Sequence, residues 1–274
     1  MTSPYTPPTT SLLKNNPTSS VTDAYGNDLP QLLMEPRTCP AGWGVNWITQ
    51  AFNLLKGNFL LWVGIGVAFF VILMLASFIP IIGPLISFAS FIFIGGMIQG
   101  CAVQAQGGEL RFDHLFEGFK THFVPLLIMT LLYIVGFIIA FIPMLIILGG
   151  MLMSLLSGNV SGLEDLSGAA ITTMILAYLL SFAFLIPVLM SIWFAPSLIV
   201  LHDVDAITAM KMSFKGCLKN LLSMFIFGLV LMIVLPLGII FTLGLGVFVM
   251  TPLMVITYYT SYRDVWTDMP LSAS

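Results

Sequence analysis

The chain has 274 residues, 58% hydrophobic and only 8% charged, with a formal net charge of −3 and a mean hydropathy of +1.05. Soluble domains carry about a quarter charged residues, so a water-soluble fold is excluded and lipid must be the solvent for much of the surface. No basic tail or aromatic–basic patch is present, which excludes nucleic acid as a partner.

Residues 1–40 are rich in Thr, Ser, Asn and Pro. That composition predicts a disordered cytoplasmic tail. The tail contains no apolar core of a cleavable signal peptide, and the first long apolar run starts near Phe59. Leu29–Met34 is a candidate docking motif, the alternative being a solvated leader with no partner.

The spacing over 43–57 predicts an amphipathic helix. Trp43, Trp47, Ile48, Ala51, Phe52 and Leu55 share one face, and Asn46, Thr49, Gln50, Asn53 and Lys56 the other. The two tryptophans and the terminal lysine suit the headgroup layer of a membrane. From Gly57 to Gly108 there is no Lys, Arg, Asp or Glu. One span needs about 20 apolar residues, so this stretch holds two, 59–79 and 85–105, turning at Pro80–Pro84.

Residues 109–122 carry Glu109, Arg111, Asp113, Glu117 and Lys120, with Phe112, Leu115, Phe116 and Phe119 at helical spacing. They read as a second amphipathic helix. Span three follows at 123–148. The loop 152–168 holds Glu164 and Asp165 but no base, as an exterior loop should. Span four covers 170–200 and is expected to kink at Pro187. A third amphipathic helix opens at His202-Asp203-Val-Asp205, with Asp203 or Asp205 as its N-cap. Its expected apolar face is Ile207, Met210, Phe214, Cys217, Leu218 and Leu221, beside a lysine row at 211, 215 and 219. Spans five and six follow at 221–240 and 245–262, and 267–274 is a C-terminal tail.

Six crossings place every Lys and Arg on one side of the membrane. By the positive-inside rule that side, with both termini, is cytoplasmic. The predicted fold class is all-α integral membrane: six transmembrane helices as three hairpins, each preceded by a cytoplasmic amphipathic helix. The domain spans 41–266.

The proposed spans contain no ionisable residue, which argues against ion-coupled transport through a buried carboxylate. Gln99 is then the most polar buried position, and Gln104 lies near enough to the interface to be solvated. Gly96-Met-Ile-Gln-Gly100 is a small-xxx-small motif that lets helices approach closely, read as packing within the monomer with dimerisation as the alternative. His202 with Asp203 is read as a helix cap before a proton relay, and Arg263 with Asp264 as an interfacial anchor and its partner. Cys39, Cys101 and Cys217 are an odd number with no close spacing, which is not the pattern of a disulfide framework or a metal site. No HExxH, GxSxG, CxxC or phosphate-binding glycine loop is found, so no catalytic residue, cofactor or metal is expected.

Ala41-Gly-Trp-Gly44, Trp47-Ile-Thr-Gln-Ala51, Ala195-Pro196 with Ser213, Cys217 and Asn220, and Tyr258…Ser261-Tyr-Arg-Asp264 carry a resemblance. Over 41–266 the chain resembles uncharacterised proteobacterial inner-membrane proteins, distantly similar to YciC-type proteins. The resemblance implies six helices in the inner membrane with both ends cytoplasmic, and no catalytic residue. The expected function is therefore non-catalytic: a membrane scaffold or interaction protein that contacts lipid and, through its cytoplasmic helices or tail, a protein partner. The alternative is a permease or channel for a small neutral or lipid-like solute, with Gln99 and kinks near Pro187 and Pro196 on its path.

Overall fold

The structure, a computed structural model, describes residues 29–79, 82–157 and 168–272. The first 28 residues of the expected tail, Pro80 and Ile81 of the first turn, and the loop positions Asn159, Glu164 and Asp165 lie outside the described residues.

Helices cover all six apolar regions. They are α1 (Trp43–Gly57), α2 (Phe59–Ser77), α3 (Ile82–Ala105), α4 (Glu117–Thr121), α5 (Phe123–Leu156), α6 (Gly168–Ile192), α7 (Ala195–His202), α8 (Ala206–Lys219), α9 (Leu221–Phe241) and α10 (Val247–Trp266). A 3₁₀ turn, Phe112–Phe116, precedes α4. The described residues contain no β-strand, only an isolated bridge between Leu32 and Thr267.

Four stretches are long and apolar enough to cross a membrane: Phe59–Ser77, Phe123–Met153, Ile171–His202 and Leu221–Phe241. α10 falls short because its second half, Thr257–Asp264, is polar, and that half is almost wholly buried. It packs against α1, α2 and α3, whereas α9, its neighbour in sequence, lies mainly against α1. α5 and α6 pair closely with each other and leave most of their apolar surface exposed. Burial therefore concentrates at one end of the bundle, around Trp47, Trp62, Trp266, Tyr259 and Tyr262, each almost fully enclosed. Aromatic side chains of this size bury about 150–250 Å² each and dominate such a core.

Of the kinks expected near Pro187 and Pro196, only the second is a break. Pro187 is accommodated inside α6, and the helix breaks at Trp193–Phe194, just before Pro196 in the first turn of α7. A break frees backbone groups that need partners. Ser213 of α8 supplies both: its hydroxyl accepts from the Phe194 N–H at 2.9 Å and donates to the Met190 carbonyl at 2.7 Å.

That docking explains a second difference. The buried face of α8 is not the large apolar one but Ala206, Ala209, Ser213, Gly216 and Cys217. A Cβ on Gly216 would stand 2.7 Å from the Trp266 Nε1 and 3.2 Å from the Phe194 ring, so only small residues fit. Ile207 and Leu218 of the expected apolar face are exposed, as is Leu221 at the start of α9. In α1, Trp47 is fully buried rather than at a headgroup layer, its ring tilted 57° against that of Phe227, while Phe52 is exposed under the Lys56 ammonium.

Residues 29–39, expected to be part of the tail, form a strap. A buried helix end leaves orphan carbonyls. Leu33 N–H donates to the Trp266 carbonyl at 2.9 Å and Arg37 N–H to that of Val265 at 2.8 Å, so the strap caps α10. Residues 267–272, expected as a tail, hook back: Asp264 Oδ1 accepts from Leu271 N–H (2.6 Å) and Ser272 N–H (3.0 Å).

Candidate functional site

The polar side chains singled out in the sequence fall into two neighbouring groups, both at the well-packed end. The first surrounds Gln99. Its amide nitrogen lies 3.2 Å from Thr121 Oγ1 and 3.3 Å from His122 Nδ1, and His122 Nε2 lies 2.9 Å from Asp203 Oδ1. Gln99 and His122 are buried. Three elements are thus tied by side chains: α3, the junction of α4 with α5, and the α7–α8 turn. Asp203 occupies this place because it ends α7 in the left-handed conformation, φ 54°. The N-cap of α8 is Asp205, whose carboxylate accepts from Thr208 N–H at 3.0 Å and titrates below the ordinary range because of that bond.

The glycines beside Gln99 make this contact possible. A Cβ on Gly96 would run into the His114 carbonyl and stand 2.9 Å from the Gly118 N–H. The small-xxx-small motif therefore admits the 112–121 segment rather than another span. Burial in this contact lowers the His114 pKa. Gln104, expected to be solvated, is a second cross-tie: Oε1 accepts from the buried Trp62 Nε1 at 2.7 Å and Nε2 donates to the Leu54 carbonyl at 2.7 Å.

The second group lines a cleft formed by Leu29, Pro30, Ala102, Gln106, Leu201, His202, Tyr259, Tyr262 and Arg263. Its empty volume is about 320 Å³, including the side open to solvent. His202 Nε2 hydrogen-bonds the Tyr262 hydroxyl, so the histidine is part of the core and not a surface cap. Arg263 and Asp264 do not pair. Successive helical positions point about 100° apart, and the two side chains serve different neighbours. Arg263 donates to the Tyr259 hydroxyl at 2.9 Å and to the Met269 carbonyl at 2.9 Å, while Asp264 is taken up by the C-terminal hook.

The strap, which the sequence reading treated as outside the fold, supplies further contacts. Lys215 Nζ lies 2.6 Å from Glu35, holding its carboxyl below the usual range, and Lys219 donates to the Pro36 carbonyl at 2.7 Å. Cys39 is buried, and that burial pushes its thiol up to about 12. Among the described residues no three His, Cys, Asp or Glu side chains gather as a metal site would need. Leu29–Met34, the candidate docking motif of the sequence, lies in this strap and is bound by the chain's own α10.

Comparison with known proteins adds the family. A protein of Burkholderia thailandensis named a probable inner membrane protein is 30% identical over 208 residues, covering 73% of this chain and 76% of its own length. No solved structure matches the chain. The apolar helices and this relative together identify a membrane protein. Residues 53–271 match a domain of unknown function, DUF7847, and the chain belongs to that family.

Proposed function

We infer that the chain is a non-catalytic, multi-pass protein of the bacterial inner membrane that works as a scaffold or interaction protein. In this reading α2, α3, α5, α6 with α7, α9 and α10 are six spans in three hairpins, and both termini are cytoplasmic. The distant similarity to YciC-type proteins belongs to the same reading.

The observation that carries it is the two-faced character of α8. One face, Ala206, Ala209, Ser213 and Gly216, is buried in the protein. The other is exposed and mixes Ile207 and Leu218 with Lys211, Lys215 and Lys219, the last two held to the strap by Glu35 and the Pro36 carbonyl. A helix that presents apolar side chains and lysines together on its outer face suits the membrane surface, where lysine stems reach to the headgroups. Exposed Phe112, Phe116 and Phe119 give the 112–121 segment a similar apolar side. These elements form a cytoplasmic collar that meets lipid and offers a surface to a protein partner. Gln99, the side chain on which a permease path was to rest, has its amide nitrogen engaged with Thr121 and His122, which ties it to the fold.

The test is native mass spectrometry of the protein extracted with its surrounding membrane in nanodiscs. A reproducible protein partner that is lost on Ile207→Asp and Leu218→Asp substitution supports the reading. A lone protein retaining a small solute, with flux of that solute in liposomes, overturns it in favour of a permease.

A further inference from the structure

We propose that the cleft where α3, α7 and α10 meet is an oxyanion site that takes the phosphate group of an anionic ligand, with Arg263 as its charge. The proposal stands on the cleft alone and does not depend on the collar.

Arg263 is 7% exposed, and no carboxylate of the described residues lies within ion-pair distance of it. An arginine stays charged in a protein, and a buried charge without a counter-charge is costly. Its sequence neighbour Asp264 makes no ion pair with it; that carboxylate accepts the amides of Leu271 and Ser272 through Oδ1. A guanidinium has five N–H groups. The contacts of Arg263 are to the Tyr259 hydroxyl from Nη1 and to the Met269 carbonyl from Nε and Nη2. Among the described residues this leaves one N–H on each Nη, the two prongs of the fork that matches phosphate oxygens.

The rest of the wall is suited to the same group. The Gln106 side chain is half-buried, lines the cleft and has no hydrogen-bond partner among the described residues. The Tyr259 and Tyr262 hydroxyls and the His202 ring complete the polar lining. No acidic side chain is in the lining. His202 and Tyr262 hydrogen-bond each other, so the donors with hydrogens left over are Arg263 of α10 and Gln106 at the end of α3, which approach from two directions as the oxygens of a tetrahedral group require. The apolar wall includes Leu29 and Pro30 of the strap, so the strap closes one side of the site. With the strap in place, the centre of a water molecule can reach about 20 Å³ of the cleft, room for about one water. Entry of a phosphate thus requires Leu29 and Pro30 to move outward.

Two sources carry this group, a lipid headgroup and a soluble phosphate ester, and one experiment separates them. The full chain in neutral-detergent micelles is titrated with inorganic phosphate and with glycerol 3-phosphate. In phosphatidylcholine nanodiscs it is compared with and without phosphatidic acid. Thermal unfolding is the readout throughout. The expected result is a saturable stabilisation by at least one probe. It is abolished in Arg263→Gln, weakened about tenfold in Gln106→Glu, where a like charge enters the cleft, and retained in Lys211→Gln on the far surface of α8. A response in micelles assigns a soluble ester; a response only in nanodiscs assigns a headgroup. If Arg263→Gln does not fold, Gln106→Glu decides, since Gln106 has no partner to lose. The proposal is overturned if no probe stabilises the protein, if stabilisation survives Gln106→Glu unchanged, or if Lys211→Gln removes it.

Discussion

Asn220 accepts the backbone N–H of Cys39 at 2.7 Å across a separation of 181 residues. Its own amide donates to the Arg37 and Gly216 carbonyls, each at 2.9 Å. One buried side chain thus joins the strap to the end of α8. Asn220→Leu keeps the size and removes every bond. It leaves the Cys39 N–H and the Arg37 carbonyl without partners, at about 1–3 kcal/mol each. We expect a loss of about 3 kcal/mol, with protease cutting first within 29–39. Cutting elsewhere first, or unchanged thermal stability, contradicts this role.

Cys39 reports the same contact chemically. The thiolate is the reactive form, and burial holds the thiol up to about 12. Cys217 is shifted in the same direction for the same reason. At pH 8 the native protein should react with a maleimide roughly 100-fold more slowly than a free cysteine does. Asn220→Leu should restore fast labelling at Cys39 alone. Mass spectrometry of the labelled peptides reads both outcomes.

Gly96 and Gly118 approach with no room between them. A Cβ on Gly118 would overlap the Ile92 carbonyl, and backbone atoms cannot rotate away as a side chain can. Gly118→Ala should cost about 3 kcal/mol or more through displacement of the 112–121 segment. Gly64→Ala, where nothing stands within 4 Å, should be close to neutral. Denaturation of both variants in the same detergent makes the comparison.

The Glu35–Lys215 pair makes the strap sensitive to acid. The folded carboxyl titrates below its ordinary value of 4.5. Its contribution is therefore complete above that value and is lost as pH falls through the lower folded value. The pair is more than half exposed, so salt screens it and its worth is small. Hydrogen-exchange protection of the Leu33 and Arg37 amides, corrected for intrinsic rate, should be flat from pH 7 to about 5 and fall below about 4. Lys215→Gln should abolish that step. Protection that rises as the pH drops contradicts the assignment.

The positions of the helices are legible in the sequence because lipid imposes long apolar runs broken by Pro and Gly. The Gly96–Gly100 motif is legible for a similar reason, since two small residues four apart have few other uses in a packed helix. The buried face of α8 is not legible. Its periodicity marks Ile207 and Leu218 as apolar, but an apolar face can meet lipid as well as protein. What selects the small face is the break at Trp193–Phe194, which Ser213 caps from a distance. The strap is hidden because its value lies in backbone bonds to the α10 carbonyls, and backbone bonds leave no side-chain signature. Arg263 and Asp264 mislead by adjacency: neighbours along a helix look in different directions.

Sidedness tests the central claim most directly. The three native thiols are buried, so a single introduced cysteine can be followed against them. Thr242→Cys marks the exposed turn between α9 and α10, and Lys211→Cys marks the exposed side of α8. A membrane-impermeant maleimide added to spheroplasts should label Thr242→Cys and spare Lys211→Cys, and inverted vesicles should show the reverse. Labelling of both positions from the same side, or of Lys211→Cys from outside, would contradict a multi-pass protein with its lysine-bearing collar in the cytoplasm.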